Sequence, residues 1–175
     1  MSPSPGRALE VPEGSLVVLV GASGSGKSTF AAKNFLATEV LSSDLCRALV
    51  SDDENEQTAS SDAFDVLRFI ARKRMNLGRL TVVDATSVRS EDRVHLVTLA
   101  RLHGSTPVAI VFDLPEEICL ERNRARPGRK VDPRVVRRQI ADLEGGLPGI
   151  CDEGFERVYI LASSEDVDSA VVKRV

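Results

Sequence analysis

The sequence GASGSGKST occupies residues 21–29 and fits the pattern G-x-x-x-x-G-K-[ST] at every fixed position. An apolar run at residues 15–21 precedes it, and a helical pattern at residues 27–35 follows it. In this context a small, glycine-rich turn points successive backbone N–H groups at an anion, and the helix adds its positive end. The stretch predicts a phosphate-binding loop (P-loop) for a nucleoside triphosphate with Mg²⁺. A turn that only links a strand to a helix is the less favoured interpretation.

Individual positions of the loop have separate expected roles. Lys27 is expected to reach the β- and γ-phosphates, and Ser28 is expected to offer its hydroxyl to Mg²⁺. The predicted nucleotide contacts in the loop are Ser23, Gly24, Ser25, Gly26, Lys27, Ser28 and Thr29. Asp84 ends a later apolar run, at a position from which a carboxylate acts on Mg²⁺ directly or through water. A turn-capping aspartate is the alternative there.

Short apolar runs alternate with longer amphipathic stretches along the whole chain. The runs predict strands at residues 15–21, 39–44, 80–86, 107–115 and 157–163. Helical patterns cover residues 27–35, 59–77, 91–102, 116–124 and 134–143, and a short helix is expected near Glu165. This alternation predicts an α/β P-loop NTPase fold, with about five parallel strands and helices on both faces. Ligands of such sheets bind beyond the carboxyl ends of the strands.

Composition limits the class of protein and its partners. The chain has 175 residues, of which 42% are hydrophobic and 28% charged, which is typical of a globular domain and excludes disordered and collagen-like classes. Its three cysteines include no C-x-x-C pair, so neither a disulfide framework nor a zinc ribbon is predicted. We expect a flexible tail at residues 1–12 and a single domain at residues 13–175. No apolar run approaches the roughly 18 residues that span a bilayer, so no membrane partner and a cytoplasmic location are expected.

The second predicted strand ends in SSDLCR at residues 42–47, which places a carboxylate and a guanidinium three residues apart. On a helical turn Asp44 and Arg47 face the same way. Asp44 could accept a proton from an attacking hydroxyl, and Arg47 could hold a phosphate of the acceptor. A helix cap or a surface ion pair would also explain the spacing. The acidic segment at residues 52–57 predicts a solvated loop, in which Gln57 could contact the substrate.

The fourth predicted strand is followed by a basic stretch, ERNRARPGRK, at residues 121–130. Arg122 and Arg126 are four residues apart and share a helix face, and Pro127-Gly128 then breaks the helix. Arginines on a mobile segment suit a lid that closes over phosphates and excludes water. A solubilising helix end is the alternative. A second basic group, Arg134, Arg137 and Arg138, predicts a solvated helix face.

Several stretches together resemble the P-loop polynucleotide 5′-kinase family, in particular the kinase domain of bacterial polynucleotide kinase-phosphatases. They span residues 16–161 and read LVVLVGASGSGKSTF, EVLSSDLCRALVSDDENEQT, AFDVL, LTVVDAT, PVAIVFDLPEEICLERNRAR and GFERVYIL. The P-loop is shared with very many NTPases, whereas SSDxCR with SDDEN and the ERNRxR segment are much more specific. Ser87 stands where the wider family often has Asn, so no role is carried over to that position.

The resemblance implies transfer of the γ-phosphate of ATP or another NTP to the 5′-hydroxyl end of RNA or DNA, in end healing and repair. It implies that Asp44 is the general base, that Arg47 contacts the phosphate of the acceptor's terminal nucleotide, and that Gln57 is a polar contact. Arg122 and Arg126 match the lid arginines, and Lys27 and Ser28 match the phosphate and Mg²⁺ contacts. It also implies phosphatase and ligase modules as partners, so we expect an excised domain or a stand-alone version.

Two other functions remain open on the sequence. A small-molecule kinase of the gluconate or shikimate type would share the P-loop and the arginine lid. A non-catalytic NTP-driven switch would not need an acceptor base. The net charge of −3 argues against a protein that coats nucleic acid, but it allows a few cations to grip one strand end. We therefore expect a footprint of one or a few nucleotides.

Overall fold

The computed structural model describes residues 7–175, which form a five-stranded parallel sheet between two layers of helices, with a smaller two-stranded sheet beside it. The strands are β1 (Ala8–Val11), β2 (Leu16–Gly21), β3 (Val40–Ser42), β4 (Thr81–Asp84), β5 (Pro107–Phe112), β6 (Arg157–Leu161) and β7 (Val171–Arg174). The helices are α1 (Lys27–Asn34), α2 (Ser43–Ser51), α3 (Ser60–Asn76), α4 (Ser90–Leu102), α5 (Glu116–Ala125), α6 (Pro133–Gly146) and α7 (Ser164–Ser169). The central sheet has the order β3-β4-β2-β5-β6, which confirms the predicted fold.

The central strands are buried on both faces because helices cover both sides of the sheet. Along β2, Val17 and Leu19 belong to one apolar cluster, with Phe30 of α1, whereas Leu16 and Val18 belong to the other. Successive side chains of a strand point to opposite faces, so a strand between two helical layers needs apolar residues at every position. This is why β2, β4 and β5 read as continuous apolar runs and were predictable from sequence.

The second predicted strand is shorter than the expected range 39–44. It ends at Ser42, because the Ser42 hydroxyl accepts a hydrogen bond from the Leu45 backbone N–H (3.3 Å) and starts α2. Asp44 therefore lies in the first turn of a helix rather than at a strand end. The acidic segment between α2 and α3 forms a loop that closes with a short 3₁₀ turn at Gln57–Ala59.

Strands β1 and β7 were not predicted, and they pair with each other in parallel. Residues 1–6 of the predicted tail lie outside the described residues, but Ala8–Val11 within that tail forms β1. Leu9 and Val11 are fully buried and join the same apolar cluster as Phe30. A strand of four residues gives too few alternations for its period to be recognised in a sequence.

A buried ion pair positions the loop after β4, which faces the cleft described below. Arg93 of α4 is fully buried, and its Nε donates to Glu153 (2.6 Å). Its Nη1 donates to the carbonyl oxygens of Ser87 (3.0 Å) and Val88 (2.7 Å). These bonds hold the loop where Ser87 has a left-handed backbone (φ 45°). None of the helices within residues 7–175 has the length and apolarity that a membrane crossing requires.

Candidate active site

A cleft of about 1270 Å³ opens at the carboxyl ends of the central strands. It lies between the P-loop, the start of α2, the first half of α3, the loop after β4, and the end of α5. The predicted site residues that line it are Ser23, Gly24, Gly26, Lys27, Ser28, Thr29, Asp44, Arg47, Gln57, Asp84, Arg122 and Arg126. Ser25 is fully buried instead, with its hydroxyl beside Lys27. The fold therefore brings together residues that are more than a hundred positions apart in sequence.

The glycines of the P-loop are required by its geometry. Gly24 and Gly26 both have left-handed backbones (φ 85° and 97°), which residues with a Cβ rarely adopt. A Cβ at Gly24 would also overlap the backbone carbonyl of Cys119 in α5. The loop is fixed on its other side by α6, where the Gln139 side chain accepts a hydrogen bond from the Ser23 backbone N–H (2.9 Å). The loop is thus a preformed turn of the kind that binds phosphate.

Lys27 is buried at the start of α1 and holds the turn from inside. Its Nζ donates to the carbonyl oxygens of Gly21 (2.8 Å) and Ala22 (2.9 Å). Burial lowers the pKa of Lys27 to about 8, and the nearby Asp84 carboxylate opposes that effect. At neutral pH the ammonium is still mainly charged, so it contributes a cation at the floor of the cleft.

Asp84 and Ser28 provide two oxygen groups beside Lys27. Asp84 ends β4, is almost fully buried, and pairs in register with Leu19 of β2. Burial raises the pKa of Asp84, while the charge of Lys27 and a hydrogen bond from Ser28 act to lower it. A hydroxyl and a carboxylate are hard oxygen ligands of the kind that Mg²⁺ takes. At a nucleotide site the protein usually supplies only one or two carboxylates to the ion, and phosphate oxygens and waters complete its coordination shell. Ser28 and Asp84 therefore fit a Mg²⁺ ion that arrives with a nucleotide.

Asp44 lies between two arginines in the same cleft, near enough to Lys27 and Asp84 for its charge to act on both. Its Oδ1 accepts a hydrogen bond from Arg47 Nη1 (2.9 Å) and also contacts Arg129 Nη1. Arg47 is only 5% exposed, and it also donates to the Glu54 carbonyl (2.9 Å) and the Ser60 hydroxyl (3.3 Å). The Asp44–Arg47 pair is therefore not a loose ion pair on the surface. The alternative that Asp44 caps the helix also fails, because Ser42 is the N-terminal cap of α2.

The charge of Asp44 is favoured by its neighbours. Burial by itself would raise its pKa, but the hydrogen bonds and positive charges of Arg129 and Arg47 outweigh burial and hold the pKa of Asp44 below its ordinary value. The carboxyl group is thus ionised at neutral pH and is able to accept a proton. Arg129 was not among the predicted site residues, although it belongs to the basic stretch that was singled out.

The two predicted lid arginines occupy different positions at the end of α5. Arg122 lies in its last turn, and its Nη2 donates to the Ser164 hydroxyl of α7 (3.1 Å). Arg126 follows the helix as its C-terminal cap residue, is exposed, and lies near enough to Lys27 and Asp84 for its charge to act on both. The chain then turns at Gly128 (φ 82°), where a side chain would meet nothing within 4 Å. This turn brings Arg129 to Asp44.

Some cleft residues were missed or misassigned in the sequence analysis. Arg138, predicted to lie on a solvated face, lines the cleft with Gln139 and Asp142 of the same helix. Arg137 does lie outside, where it pairs with Glu116 (2.7 Å). Positions 138, 139 and 142 share one helix face, but their spacing alone does not say that this face meets the cleft. Gln57 is exposed at the cleft edge, where its side-chain amide donates to the Asn55 carbonyl (3.2 Å).

Three solved structures illustrate the fold. A chain of the Pnkp1/Rnl/Hen1 RNA repair complex is 19% identical with a TM-score of 0.68, over 85% of this chain and 48% of its own length. A gluconokinase from Sinorhizobium meliloti 1021 is 16% identical with a TM-score of 0.56, and the match covers 90% of this chain and 87% of the gluconokinase. The APS kinase CysC from Mycobacterium tuberculosis, in complex with AMPPNP and APS, is 26% identical with a TM-score of 0.51. That match covers 65% of this chain and 70% of the APS kinase. The present chain spans about half of the RNA repair chain.

These similarities support a P-loop kinase-like fold. Among curated proteins, none matches this chain in sequence. A family model described as an AAA domain matches residues 16–147, a segment that contains the P-loop, Asp44, Asp84 and the lid arginines. This segment is well over half of the chain, and the protein therefore belongs to this AAA domain family.

Proposed function

We propose that the protein is a polynucleotide 5′-hydroxyl kinase, which transfers the γ-phosphate of ATP or another NTP to the 5′-OH end of RNA or DNA in end healing and repair. The observation that carries the proposal is the pairing of Asp44 with Arg47 in the same cleft as the P-loop. An ionised carboxylate beside a nearly buried guanidinium suits an acceptor that carries both a hydroxyl and a phosphate. A strand end of RNA or DNA carries both groups on its terminal nucleotide.

The donor side follows from the loop geometry. The backbone of Ser23 to Thr29 and the Lys27 ammonium would hold the triphosphate, and Ser28 and Asp84 would hold Mg²⁺. When bound, Mg²⁺ neutralises charge on the phosphates. Arg122 and Arg126 would lie over the transferring group, where their charges are most useful as negative charge spreads during transfer. The oxygen of the 5′-hydroxyl bonds to the γ-phosphorus, and Asp44 takes the proton that this hydroxyl loses. The bond between the γ-phosphorus and the oxygen that bridges it to the β-phosphate breaks, and the nucleoside diphosphate leaves.

A small-molecule kinase is the second candidate, and the fold similarity to a gluconokinase and an APS kinase is the observation that favours it. Such an enzyme would use the same P-loop and lid. A kinase for a neutral sugar would have less use for two guanidinium groups, Arg47 and Arg129, at the acceptor carboxylate, whereas an acidic acceptor such as gluconate or APS could bind one of them. The acceptor must therefore be decided by a transfer assay. A non-catalytic switch would have no use for a proton acceptor at this position.

Transfer of a labelled γ-phosphate distinguishes these candidates. We expect the purified protein, with ATP and Mg²⁺, to label 5′-OH oligoribonucleotides or oligodeoxyribonucleotides and to leave oligonucleotides with a 5′-phosphate unlabelled. Gluconate and shikimate should remain unlabelled under the same conditions. Labelling of a small acceptor alone would favour the second candidate, and ATP hydrolysis without any labelled acceptor would favour the switch. By extension of the proposal, phosphatase and ligase modules acting on the same ends are the partners we infer.

The Arg129 contact makes a prediction for the pH dependence of the reaction. Asp44 acts as a base only when ionised, so activity is lost as pH falls through its pKa in the folded protein. Arg129 and Arg47 lower that pKa, while burial acts in the opposite direction. Arg129→Gln removes one of the two guanidinium groups. The acid limb of log kcat/KM, recorded between about pH 3 and 7, should therefore move to higher pH.

Lys130→Gln provides the matched control, because Lys130 is exposed in the same loop and does not line the cleft. Its acid limb should coincide with that of the unmodified protein. If the limb also stays in place for Arg129→Gln, the Arg129 contact does not set the pKa of the catalytic base.

A further inference from the structure

The cleft extends beyond Asp44 and Arg47 along one face of α3. Ser60, Phe64 and Arg68 are spaced four residues apart, so they lie one above another on the helix, and all three line the cleft. The row begins at the acceptor side, because Arg47 Nε donates to the Ser60 hydroxyl (3.3 Å). It therefore leads from the place where a terminal phosphate would bind to a more distant part of the same cleft.

Phe64 offers an aromatic surface in this extension. It is half-buried and packs against the apolar cluster of Leu67 and Leu96, so the ring is held in place. Within residues 7–175 no other Phe or Tyr side chain lines the cleft. Nucleobases stack on aromatic rings irrespective of base identity, because every base has a π-face. A kinase for gluconate or shikimate has no nucleobase to stack on such a ring.

Arg68 places a cation next to that ring. Its guanidinium lies 5.9 Å from the centroid of the Phe64 ring, and its Nε donates to the Phe64 carbonyl (3.2 Å). Its ion pair with Asp65 is long (3.9 Å) and both side chains are exposed, so the pair holds it only weakly. The backbone of Arg68 is about 12 Å along the helix axis from Ser60, at 1.5 Å per residue, and its side chain folds back over Phe64. The guanidinium therefore lies one turn beyond Ser60, where it can meet a phosphate downstream of the one bound at Arg47.

We propose that Phe64 and Arg68 form a subsite for the nucleotides that follow the 5′-terminal one, with a base stacked on Phe64 and a downstream phosphate bound by Arg68. This inference rests on the proposed polynucleotide kinase activity and deepens it. It assigns the acceptor as a single strand of several nucleotides, and it assigns α3 as the element that distinguishes such a strand from a mononucleotide.

The test compares two acceptors, a short 5′-OH oligonucleotide and a nucleoside 3′-monophosphate, in the unmodified protein and in Arg68→Ala and Phe64→Leu. Leucine keeps the apolar packing of position 64 and removes the ring. We expect each variant to raise KM for the oligonucleotide by on the order of tenfold, and to leave KM for the mononucleotide unchanged. The slope of log K for oligonucleotide binding against log salt should become shallower by about 0.7 in Arg68→Ala, because the protein then neutralises one phosphate fewer of a single strand.

Arg72→Ala is the matched control, since Arg72 is one turn further along α3, lies over the Phe69 ring (5.3 Å), and does not line the cleft. It should leave both KM values and the salt slope unchanged. If Arg68→Ala and Phe64→Leu behave like Arg72→Ala while the protein still phosphorylates the oligonucleotide, the subsite is refuted and the kinase proposal stands. If the unmodified protein phosphorylates neither acceptor, the kinase proposal itself fails.

Discussion

Asp44→Asn should lower kcat for phosphorylation of a 5′-OH end by roughly 10³-fold, within the range usual for loss of a general base. Asparagine has nearly the same shape and keeps an oxygen that can accept hydrogen bonds from Arg47 and Arg129. It cannot take up the proton of the acceptor hydroxyl. The Kd for ATP should change far less than kcat, because Asp44 is bonded to Arg47 and Arg129 and acts on Lys27 of the P-loop only through its charge. The measurements are single-turnover transfer of labelled γ-phosphate and the Kd for ATP.

The control for this prediction is Asp62→Asn, because Asp62 is an exposed carboxylate of α3 outside the cleft. It should keep the rate of the unmodified protein. The thermal unfolding of Asp44→Asn should be recorded as well, since Arg47 is nearly buried and loses a charged partner. A folded Asp44→Asn protein with full transfer activity would contradict the assignment of Asp44 as the base.

Arg126→Ala should also reduce kcat strongly, by roughly 10³-fold, which is at the lower end of what an arginine contributes at a transferring phosphate. Arg126 lies at the end of α5, lines the cleft, and acts electrostatically on both Lys27 and Asp84. An interaction that develops only as charge moves in the transition state lowers kcat and kcat/KM to the same extent when it is removed. Steady-state kinetics at varied ATP concentration would measure both.

Arg124 offers a close comparison, because it is also exposed near the end of α5 but does not line this cleft. Its Nε donates to the Leu120 carbonyl of its own helix (3.4 Å). Arg124→Ala should leave kcat within a small factor of the original value. If Arg126→Ala and Arg124→Ala have equal kcat values, the charge at position 126 is not used in the reaction. The basic end of α5 then has only a solubilising role.

The parts of the molecule that sequence predicts are those in which local pattern and environment agree. β2, β4 and β5 are buried on both faces, so their apolar runs could be read directly, and the P-loop follows from its own glycines and Lys27. The position of Asp84 was predictable because a polar residue that ends such an apolar run lies at the carboxyl end of a strand. Arg47 was predictable as a partner of Asp44 because the two share a helical turn.

The remaining parts depend on contacts between distant segments. Arg129 reaches Asp44 across more than eighty residues, and the sequence carries no signal for which lid cation meets the carboxylate. Arg138 faces the cleft because α6 packs against the P-loop, which the pattern of α6 alone does not specify. The pairing of β1 with β7 joins segments about 160 residues apart, and each strand alone is too short to be distinguished from a loop.

The close approach of Gly24 to the Cys119 carbonyl has a mechanical consequence. The body of α5 rests directly on the P-loop, so the helix cannot tilt toward the loop without a clash between backbones. If the segment after α5 closes over the phosphates, as the proposed function expects, the freest place for that movement is the end of α5 near Ala125. Arg122 would then keep its place on the helix, whereas Arg126 and Arg129 would move with the short segment that follows it. The two predicted lid arginines would thus differ in how far they move as well as in position.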